Sequence, residues 1–246
     1  MPSKHLLVDI GNTSVKWALW DGRQLCRPGA AKHHGALPID LLAAWESLTG
    51  IAQLVVACVG PRSVLDAVAA VARASWQCGV RVVETRASAH GVRIAYAQPA
   101  RLGVDRFLAL VGAQHAGPPG DKVIVDAGTA VTYDLLDAAG RHLGGLILPG
   151  VQMMRDSLLT GTLIPRHESA DGNQSWAADT GEAIAAASIQ APAALAERLL
   201  DRLAQETGNS PCLIITGGDA ERLLPAIDRP AVHQPDLVLQ GLSRFV

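Results

Sequence analysis

The sequence predicts an α/β protein built from two related halves. Short apolar segments of strand length alternate with longer segments of helical pattern along the 246 residues, an order typical of α/β folds. LLVDIGNTSVKWALWDGRQL at residues 6–25 is also similar to VIVDAGTAVTYDLLDAAGRHL at residues 123–143. Between these segments, a Gly-Pro-Pro-Gly cluster at residues 117–120 predicts a boundary, with one half at residues 1–118 and the other at residues 119–246.

The first half begins with two neighbouring strands. Residues 5–10 are a short apolar run, and residues 14–20 follow after one turn, with a hairpin turn signal at Asp21-Gly22. Pro61 stands near the start of a helical segment, residues 63–76, that is rich in Ala and Val. The remaining elements predicted in this half are strands at residues 52–58 and 80–84 and a helix at residues 103–116.

The second half repeats this opening. The predicted elements are strands at residues 122–126, 129–136 and 142–148 and a helix at residues 150–159. Residues 180–206 are strongly helical, with Thr180 or Asp179 as the cap. A strand at residues 212–216 then runs into Gly217-Gly218 and a further helix. The segments predicted to be loops are residues 26–50 and 160–178.

Composition and charge exclude several classes of function. The chain has 21 basic and 23 acidic residues, a formal net charge of −2, so no overall field attracts it to nucleic acid or to an anionic membrane. No apolar run approaches transmembrane length, and Asp9 precedes any signal-peptide core, which favours a cytoplasmic protein. The four cysteines have no metal-binding spacing and are expected to be reduced thiols.

The two similar segments each carry a turn suited to phosphate. In both, an apolar strand ends near an aspartate, Asp9 or Asp126, followed after one residue by glycine and then by Asn or Thr. Glycine lets a ligand approach the backbone, and successive N–H groups can form an anion-binding nest. Lys16, three residues beyond Thr13, is placed to contact a β- or γ-phosphate, while Asp9 would hold Mg²⁺. The alternative is that both aspartates only cap hairpin turns.

Other nucleotide-binding signatures are absent from the sequence. It contains no G-x-x-x-x-G-K-[ST] loop, no G-x-G-x-x-G, no protein-kinase motif set and no H-E-x-x-H. If the protein uses ATP, it does so without a P-loop.

Three segments together resemble one family. DIGNTSVK at residues 9–16, YAQPARLGVDR at residues 96–106 and DAGTAVT at residues 126–132 are similar in order and spacing to the type III pantothenate kinases, as are GGLILPG, TGEAI and TGGDA. The likeness runs from residue 5 to about residue 220. It implies an actin/hexokinase-type fold, with two duplicated ribonuclease H-like halves and a central cleft for ATP. It also implies ATP-dependent phosphorylation of pantothenate to 4′-phosphopantothenate, the first step of coenzyme A biosynthesis.

The resemblance also implies roles for particular residues. Asp105 would be the catalytic proton acceptor, Asp126 would coordinate a monovalent cation, K⁺ or NH₄⁺, and Asp9 would hold Mg²⁺ through the phosphates. Gly217 and Gly218 would lie near the adenosine. The residues expected to bind the ATP phosphates are Asp9, Ile10, Gly11, Asn12, Thr13, Ser14, Val15, Lys16 and Thr129. Those expected to bind pantothenate are Tyr96, Gly103, Val104, Asp105, Arg106 and Thr180.

Taken singly, several of these residues have simpler explanations. Asp105 and Arg106 also fit a surface ion pair at a helix start, although a kinase acting on an alcohol needs a carboxylate within reach of the hydroxyl. Arg106 has two candidate roles, binding the substrate carboxylate or orienting Asp105. Tyr96 could be packing, and Thr180 could cap the helix that follows. The histidines have no metal-ligand spacing and are interpreted as ordinary.

Two other functions remain open, and an assembly is predicted. The chain could be another small-molecule kinase or phosphatase of the same superfamily, or a nucleotide-binding regulatory accessory factor without turnover. The expected partners are ATP, pantothenate and a second copy of the chain, with no nucleic acid and no membrane. A mean hydropathy of +0.20 and 49% hydrophobic residues favour a homodimer. Its predicted interface is the apolar side of helix 103–116, formed by Phe107, Leu108, Leu110 and Val111.

Overall fold

A computed structural model describes residues 4–164, 172 and 174–246. Contacts divide the chain into two compact units, which we call unit 1 and unit 2. Unit 1 runs up to Ala116 and includes Asp236–Val246, and unit 2 is Gly117–Pro235.

Unit 1 is a five-stranded mixed sheet with helices. Its elements up to Ala116 are β1 (Lys4–Ile10), β2 (Ser14–Trp20), β3 (Leu25–Lys32), α1 (Ile39–Glu46), β4 (Ile51–Cys58), α2 (Arg62–Trp76), β5 (Gly79–Val82), β6 (Ser88–Ala89), β7 (Val92–Arg93) and α3 (Val104–Ala116). The strand order is β3-β2-β1-β4-β5, and β6 and β7 form a separate two-stranded sheet. β2 is antiparallel to both β1 and β3, whereas β4 is parallel to β1 and to β5.

Unit 2 repeats this topology. Its elements are β8 (Lys122–Ala127), β9 (Ala130–Leu136), β10 (His142–Pro149), α4 (Val151–Gly161), α5 (Thr180–Thr207), β11 (Cys212–Thr216), α6 (Ala220–Leu223) and β12 (Ala231–His233). The strand order is β10-β9-β8-β11-β12, with the same pattern of antiparallel and parallel pairs. The duplication predicted from the internal similarity is therefore confirmed, and the segment after unit 2, which carries α7 (Leu237–Leu242), belongs to unit 1.

Different helices cover the two faces of the unit 1 sheet. Leu6, Val8 and Ile10 belong to a buried core that also contains side chains of α1 and α2. On the other face Leu7 is fully buried, and α7 and α3 contact β1 and β4. Because successive side chains of a strand alternate between faces, Asp9 lies on the face that carries α3 and α7.

The apolar side of α3 is covered by α7. The four apolar side chains of the predicted dimer surface are 0% exposed: Phe107, Leu108, Leu110 and Val111. A Cβ at Gly112 would lie 2.3 Å from the carbonyl oxygen of Leu237, so the backbones of the two helices are in direct contact. The prediction that this side packs against a second copy is wrong, because α7 already buries it. The same packing puts Asp236–Val246 in unit 1, whereas residues 119–246 were predicted to form one half.

Part of the region predicted to be loop is regular structure. Residues 26–50 contain most of β3 and the whole of α1. In the sequence, Pro28-Gly29 resembles a turn. In the structure, β3 lies at the edge of the sheet and pairs only with β2, and a proline such as Pro28 is tolerated in an edge strand. The predicted loop at residues 160–178 lies partly outside the described residues, and α4 extends into it as far as Gly161.

All four cysteines carry free thiols. In the part of the chain that the structure describes, no helix is both long enough and apolar enough to span a bilayer.

Candidate active site

The first hairpin, β1 with β2, places Asp9 and Lys16 side by side. Asp9 is the second-last residue of β1 and is 8% exposed. It is the register partner of Lys16 on β2, and directly opposed residues of an antiparallel pair project to the same face of a sheet. A carboxylate and an ammonium group therefore lie together at the end of β1, next to the turn at residues 11–13.

This turn rests on the segment that joins β4 to α2. The Gly11 N–H donates to the Ser14 carbonyl oxygen at 2.9 Å and closes the turn. The Ile10 carbonyl oxygen accepts from the N–H groups of Val59 and Gly60 at 3.0 and 3.1 Å. A Cβ at Gly60 would lie only 2.1 Å from the Gly11 carbonyl oxygen, so a larger residue there must displace the turn. Gly60 is not among the site residues predicted from the sequence, where its one signal is its place just after a predicted strand.

Asp105 is held at the start of α3 by local contacts. Its Oδ1 accepts the Arg106 N–H at 2.8 Å. A Cβ at Gly103 would come within 2.4 Å of the same oxygen. This position of the carboxylate therefore requires glycine at residue 103.

Arg106 is buried beside Tyr96. The arginine is 7% exposed, and its Nη1 donates to Tyr96 Oη at 3.3 Å. Its Cζ also lies 6.0 Å from the centroid of the tyrosine ring, at the limit of a cation–π contact. A buried guanidinium does not fit the simpler explanation of Asp105 and Arg106 as a solvated surface pair. The structure thus brings Tyr96, Asp105 and Arg106 together at the start of α3.

The start of α3 and the first hairpin share one support. Val59 donates its N–H to Ile10, and its Cγ1 would lie 3.9 Å from a Cβ at Gly103. Asp105 is thereby brought to the same end of the unit 1 sheet as Asp9. Phosphoryl transfer to an alcohol needs a carboxylate near the hydroxyl and cationic or N–H groups at the phosphates, and this end of the sheet carries both.

Cys58 adjoins the first hairpin as the register partner of Ile10. Burial raises the pKa of its thiol above the ordinary value, and the negative charge of Asp9 acts in the same direction. Cys58 is therefore a neutral thiol and not a candidate nucleophile.

The second hairpin, β8 with β9, has a shorter turn with a different support. Its Gly128 N–H donates to the Ala130 carbonyl oxygen at 3.0 Å, and the Gly150 N–H donates to the Thr129 carbonyl oxygen at 2.9 Å. A Cβ at Gly150 would lie 2.3 Å from the Gly128 carbonyl oxygen, so this glycine supports the second turn as Gly60 supports the first. Asp126 pairs with Thr132, and threonine therefore occupies the register position that Lys16 has in the first hairpin.

The TGGDA segment lies directly against Asp126. Gly217 has a φ of +98°, and a Cβ there would come within 2.3 Å of the Ala127 carbonyl oxygen and 2.5 Å of Asp126 Oδ1. The Asp219 N–H donates to the same carbonyl at 2.9 Å. Gly218, by contrast, has open space where its Cβ would be.

Thr180 is the first residue of α5 and is exposed. The cap is Asp179, whose Oδ1 accepts the N–H groups of Gly181 and Glu182 at 2.7 and 3.3 Å. Of the two caps considered for this helix, the structure selects Asp179. Thr180 belongs to unit 2, and Tyr96 and Asp105 belong to unit 1.

Comparison with known proteins gives one consistent result. Residues 5–202 match a family model described as type III pantothenate kinase. The chain is 38% identical over 245 residues to the type III pantothenate kinase of Nitrosococcus oceani, covering 97% of this chain and 92% of that protein.

Solved structures agree on the fold. A conserved putative Baf family transcriptional activator from Campylobacter jejuni aligns with a TM-score of 0.57 at 20% identity, covering 97% of this chain and 96% of the other. A ROK family glucokinase from Streptomyces griseus aligns with a TM-score of 0.53 at 12% identity, covering 99% of both chains. At these identities the likeness concerns the fold alone, which is of the actin/hexokinase-like ATPase class.

Proposed function

Since this chain belongs to the type III pantothenate kinase family, we propose a role in the reaction for each candidate site residue. The enzyme phosphorylates pantothenate in coenzyme A biosynthesis, with ATP as the phosphoryl donor. The products are 4′-phosphopantothenate and ADP. The hydroxyl oxygen of pantothenate forms a bond to the γ-phosphorus, the bond from that phosphorus to the β–γ bridging oxygen breaks, and the hydroxyl proton is removed.

Asp105 accepts the hydroxyl proton in this proposal. The observation that carries the assignment is the shared support at Val59, which brings the start of α3 to the end of β1 where the first hairpin turns. The Asp105 carboxylate is oriented by the Arg106 N–H and lies against Gly103. A fixed carboxylate of this kind aligns the hydroxyl and takes its proton as the new bond forms.

The first hairpin binds the ATP phosphates through residues 9–16. Lys16 supplies a point charge beside Asp9, and the turn at residues 11–13 supplies backbone N–H groups. We assign Thr129 of the second hairpin to phosphate contact and Gly217 and Gly218 to the adenosine. The open space at Gly218 supports the latter role, because a ligand could approach the backbone there.

Pantothenate is bound by the residues around the start of α3. Tyr96 and the buried Arg106 already contact each other there, and they offer a hydroxyl and a guanidinium to a substrate that carries a carboxylate. Gly103 and Val104 complete this part of the pocket. Thr180, exposed at the start of α5, is assigned to the same substrate.

The donor atoms fit the cations that this function requires. Within the described residues no group of three or more His, Cys, Asp or Glu side chains could hold a metal ion, so any cation must rely on other oxygen ligands as well. Asp126 Oδ1 and the Ala127 carbonyl oxygen both face Gly217, where a side chain would fill the space, and hard cations prefer such oxygen donors. Asp126 would hold K⁺ or NH₄⁺, and Asp9 would hold Mg²⁺ together with the phosphates. When bound, these cations would neutralise phosphate charge.

The assembly we propose is a homodimer through unit 2. Strand β10 lies at the edge of its sheet and exposes Leu143, Leu146 and Ile147 at 44, 46 and 60%. Met153 of the adjacent helix α4 is 47% exposed. An exposed apolar edge strand presents unpaired backbone groups and apolar side chains with which a second chain can pair. The cytoplasm is the location we propose, because the enzyme consumes ATP.

The test of this function is ADP release measured by a coupled assay with and without pantothenate. ADP release should require pantothenate, and Asp105→Asn should lower kcat by about 10²–10⁴-fold while pantothenate binding changes much less. Asp40→Asn is the matched control, since Asp40 is an exposed carboxylate in the first turn of α1. A near-normal kcat for Asp105→Asn would remove Asp105 from the role of base, and ADP release independent of pantothenate would contradict the proposed roles altogether.

A further inference from the structure

His33 follows β3 and contacts the turn of the first hairpin twice. Its side chain is buried, with the residue 4% exposed, and Nε2 donates to the Gly11 carbonyl oxygen at 2.9 Å. Its backbone N–H donates to the Thr13 carbonyl oxygen at 2.9 Å. Nδ1 accepts the Gly35 N–H at 3.3 Å, a pattern that requires the Nε2–H tautomer. One residue therefore holds two carbonyl groups of the turn.

Holding these carbonyls sets the direction of the neighbouring N–H groups. In a trans peptide the C=O and the following N–H point to opposite sides of the chain. Because the carbonyls of Gly11 and Thr13 point to His33, the N–H groups of Asn12 and Ser14 are directed away from it. Backbone N–H groups attract a phosphate and carbonyl oxygens repel it, so a flip of either peptide would exchange attraction for repulsion.

In the second hairpin, backbone contacts alone hold the carbonyl groups of the turn. Its turn has two residues between the strands, at 128 and 129, whereas the first turn has three, at 11–13. The backbone of Gly150 contacts both carbonyls of the shorter turn, by a hydrogen bond to Thr129 and by close approach to Gly128. In the longer turn Gly60 approaches Gly11 from one side, and His33 provides the hydrogen bond.

We propose that His33 is a positioning residue for ATP, which keeps the carbonyl groups of Gly11 and Thr13 turned away from the triphosphate. The inference rests on the proposed function, in which residues 9–16 bind the ATP phosphates. His33 does not touch the substrate and acts through the backbone of the turn.

The experiment compares His33→Phe and His33→Gln with His34→Phe as the matched control, because His34 is the exposed neighbour. His33→Phe removes the hydrogen bond to Gly11 and should raise KM for ATP about three- to tenfold, the usual worth of one hydrogen bond. It should leave KM for pantothenate within about twofold of the wild-type value. His33→Gln keeps an N–H donor at similar reach and should restore KM for ATP, and His34→Phe should match the wild type. Titration with a non-hydrolysable ATP analogue should reproduce these differences in Kd.

A variant of Lys16 separates the inference from the proposed function. If Lys16→Ala raises KM for ATP and His33→Phe does not, the role of His33 is refuted and phosphate binding by the hairpin stands. If Lys16→Ala leaves KM for ATP unchanged, phosphate binding by the hairpin fails and the inference fails with it.

If His33→Phe does not fold, the shorter side chain of His33→Asn provides the test instead. His33→Asn can reach Gly35 but not Gly11, so it should raise KM for ATP while His33→Gln does not. Equal KM values for these two variants, or equal rises in KM for both substrates, would overturn the inference.

Discussion

Gly60→Ala is a direct test of the support beneath the first hairpin. The added Cβ would stand 2.1 Å from the Gly11 carbonyl oxygen and 2.9 Å from its carbon, whereas real Cβ contacts stay beyond 3.0 Å. Both clashing atoms are backbone, so no side chain can rotate away, and the turn must shift by about 1 Å. A misplacement of that size in a positioning element costs up to about 100-fold in rate. We therefore expect kcat/KM for ATP to fall about 10- to 100-fold.

The same substitution should also lower stability. Overpacking of this kind costs about 1–3 kcal/mol. For a chain of this length each kcal/mol lowers Tm by about 2–4 °C. Thermal unfolding should therefore show a modest decrease in Tm with a folded protein at assay temperature, so that the loss of activity can be measured on folded enzyme.

Gly79→Ala is the matched control for this experiment. Gly79 begins β5 in the same unit, and no atom lies within 4 Å of the Cβ that would be added there. Steady-state kinetics with ATP varied at saturating pantothenate give the comparison. If Gly60→Ala keeps kcat/KM for ATP within about twofold of Gly79→Ala, the turn does not depend on Gly60 and the reasoning is refuted.

Three other expectations concern the phosphates, the cation and the assembly. Lys16→Ala should raise KM for ATP by about 10- to 100-fold through loss of a charge-assisted contact, with Tm unchanged; a lower Tm with normal ATP kinetics would make Lys16 structural. The wild-type enzyme should be faster in K⁺ than in Na⁺, and Asp126→Asn should abolish that difference; equal wild-type rates in the two salts would contradict the cation assignment. Ile147→Glu places a charge on the exposed edge strand and should halve the mass seen by sedimentation. A dimer that survives this change would have another interface.

The two hairpins show which features the local sequence pattern predicts and which it does not. The apolar strands ending near Asp9 and Asp126, and the glycine and Asn or Thr residues after them, were sufficient to predict two turns, and the sheets around them share one topology. The register was not predictable, because the first turn has one residue more than the second and no pattern indicates which cross-strand residue faces each aspartate. The three-residue turn puts Lys16 opposite Asp9, and the two-residue turn puts Thr132 opposite Asp126.

Long-range packing accounts for the prediction that was wrong. The apolar side of α3 has the pattern of a surface that needs a partner, and the predicted partner was a second copy of the chain. The partner is α7, which follows more than a hundred residues later and meets α3 through glycines at residues 112 and 241. Hydrophobic pattern shows that a face is buried and not by which segment.

The sequence by itself determined most of the longer strands and helices, the duplication and the family, because these depend on alternation, turn chemistry and motif order over short distances; it did not determine β3 and α1. Only the tertiary structure decided how the candidate site is supported. Gly60 and His33 hold the turn at Gly11, Gly150 and Gly217 hold the one after Asp126, and each contact joins residues far apart in the chain. The residue type of a glycine or a histidine does not reveal which atoms it will contact, since its role comes from the atoms that folding brings against it.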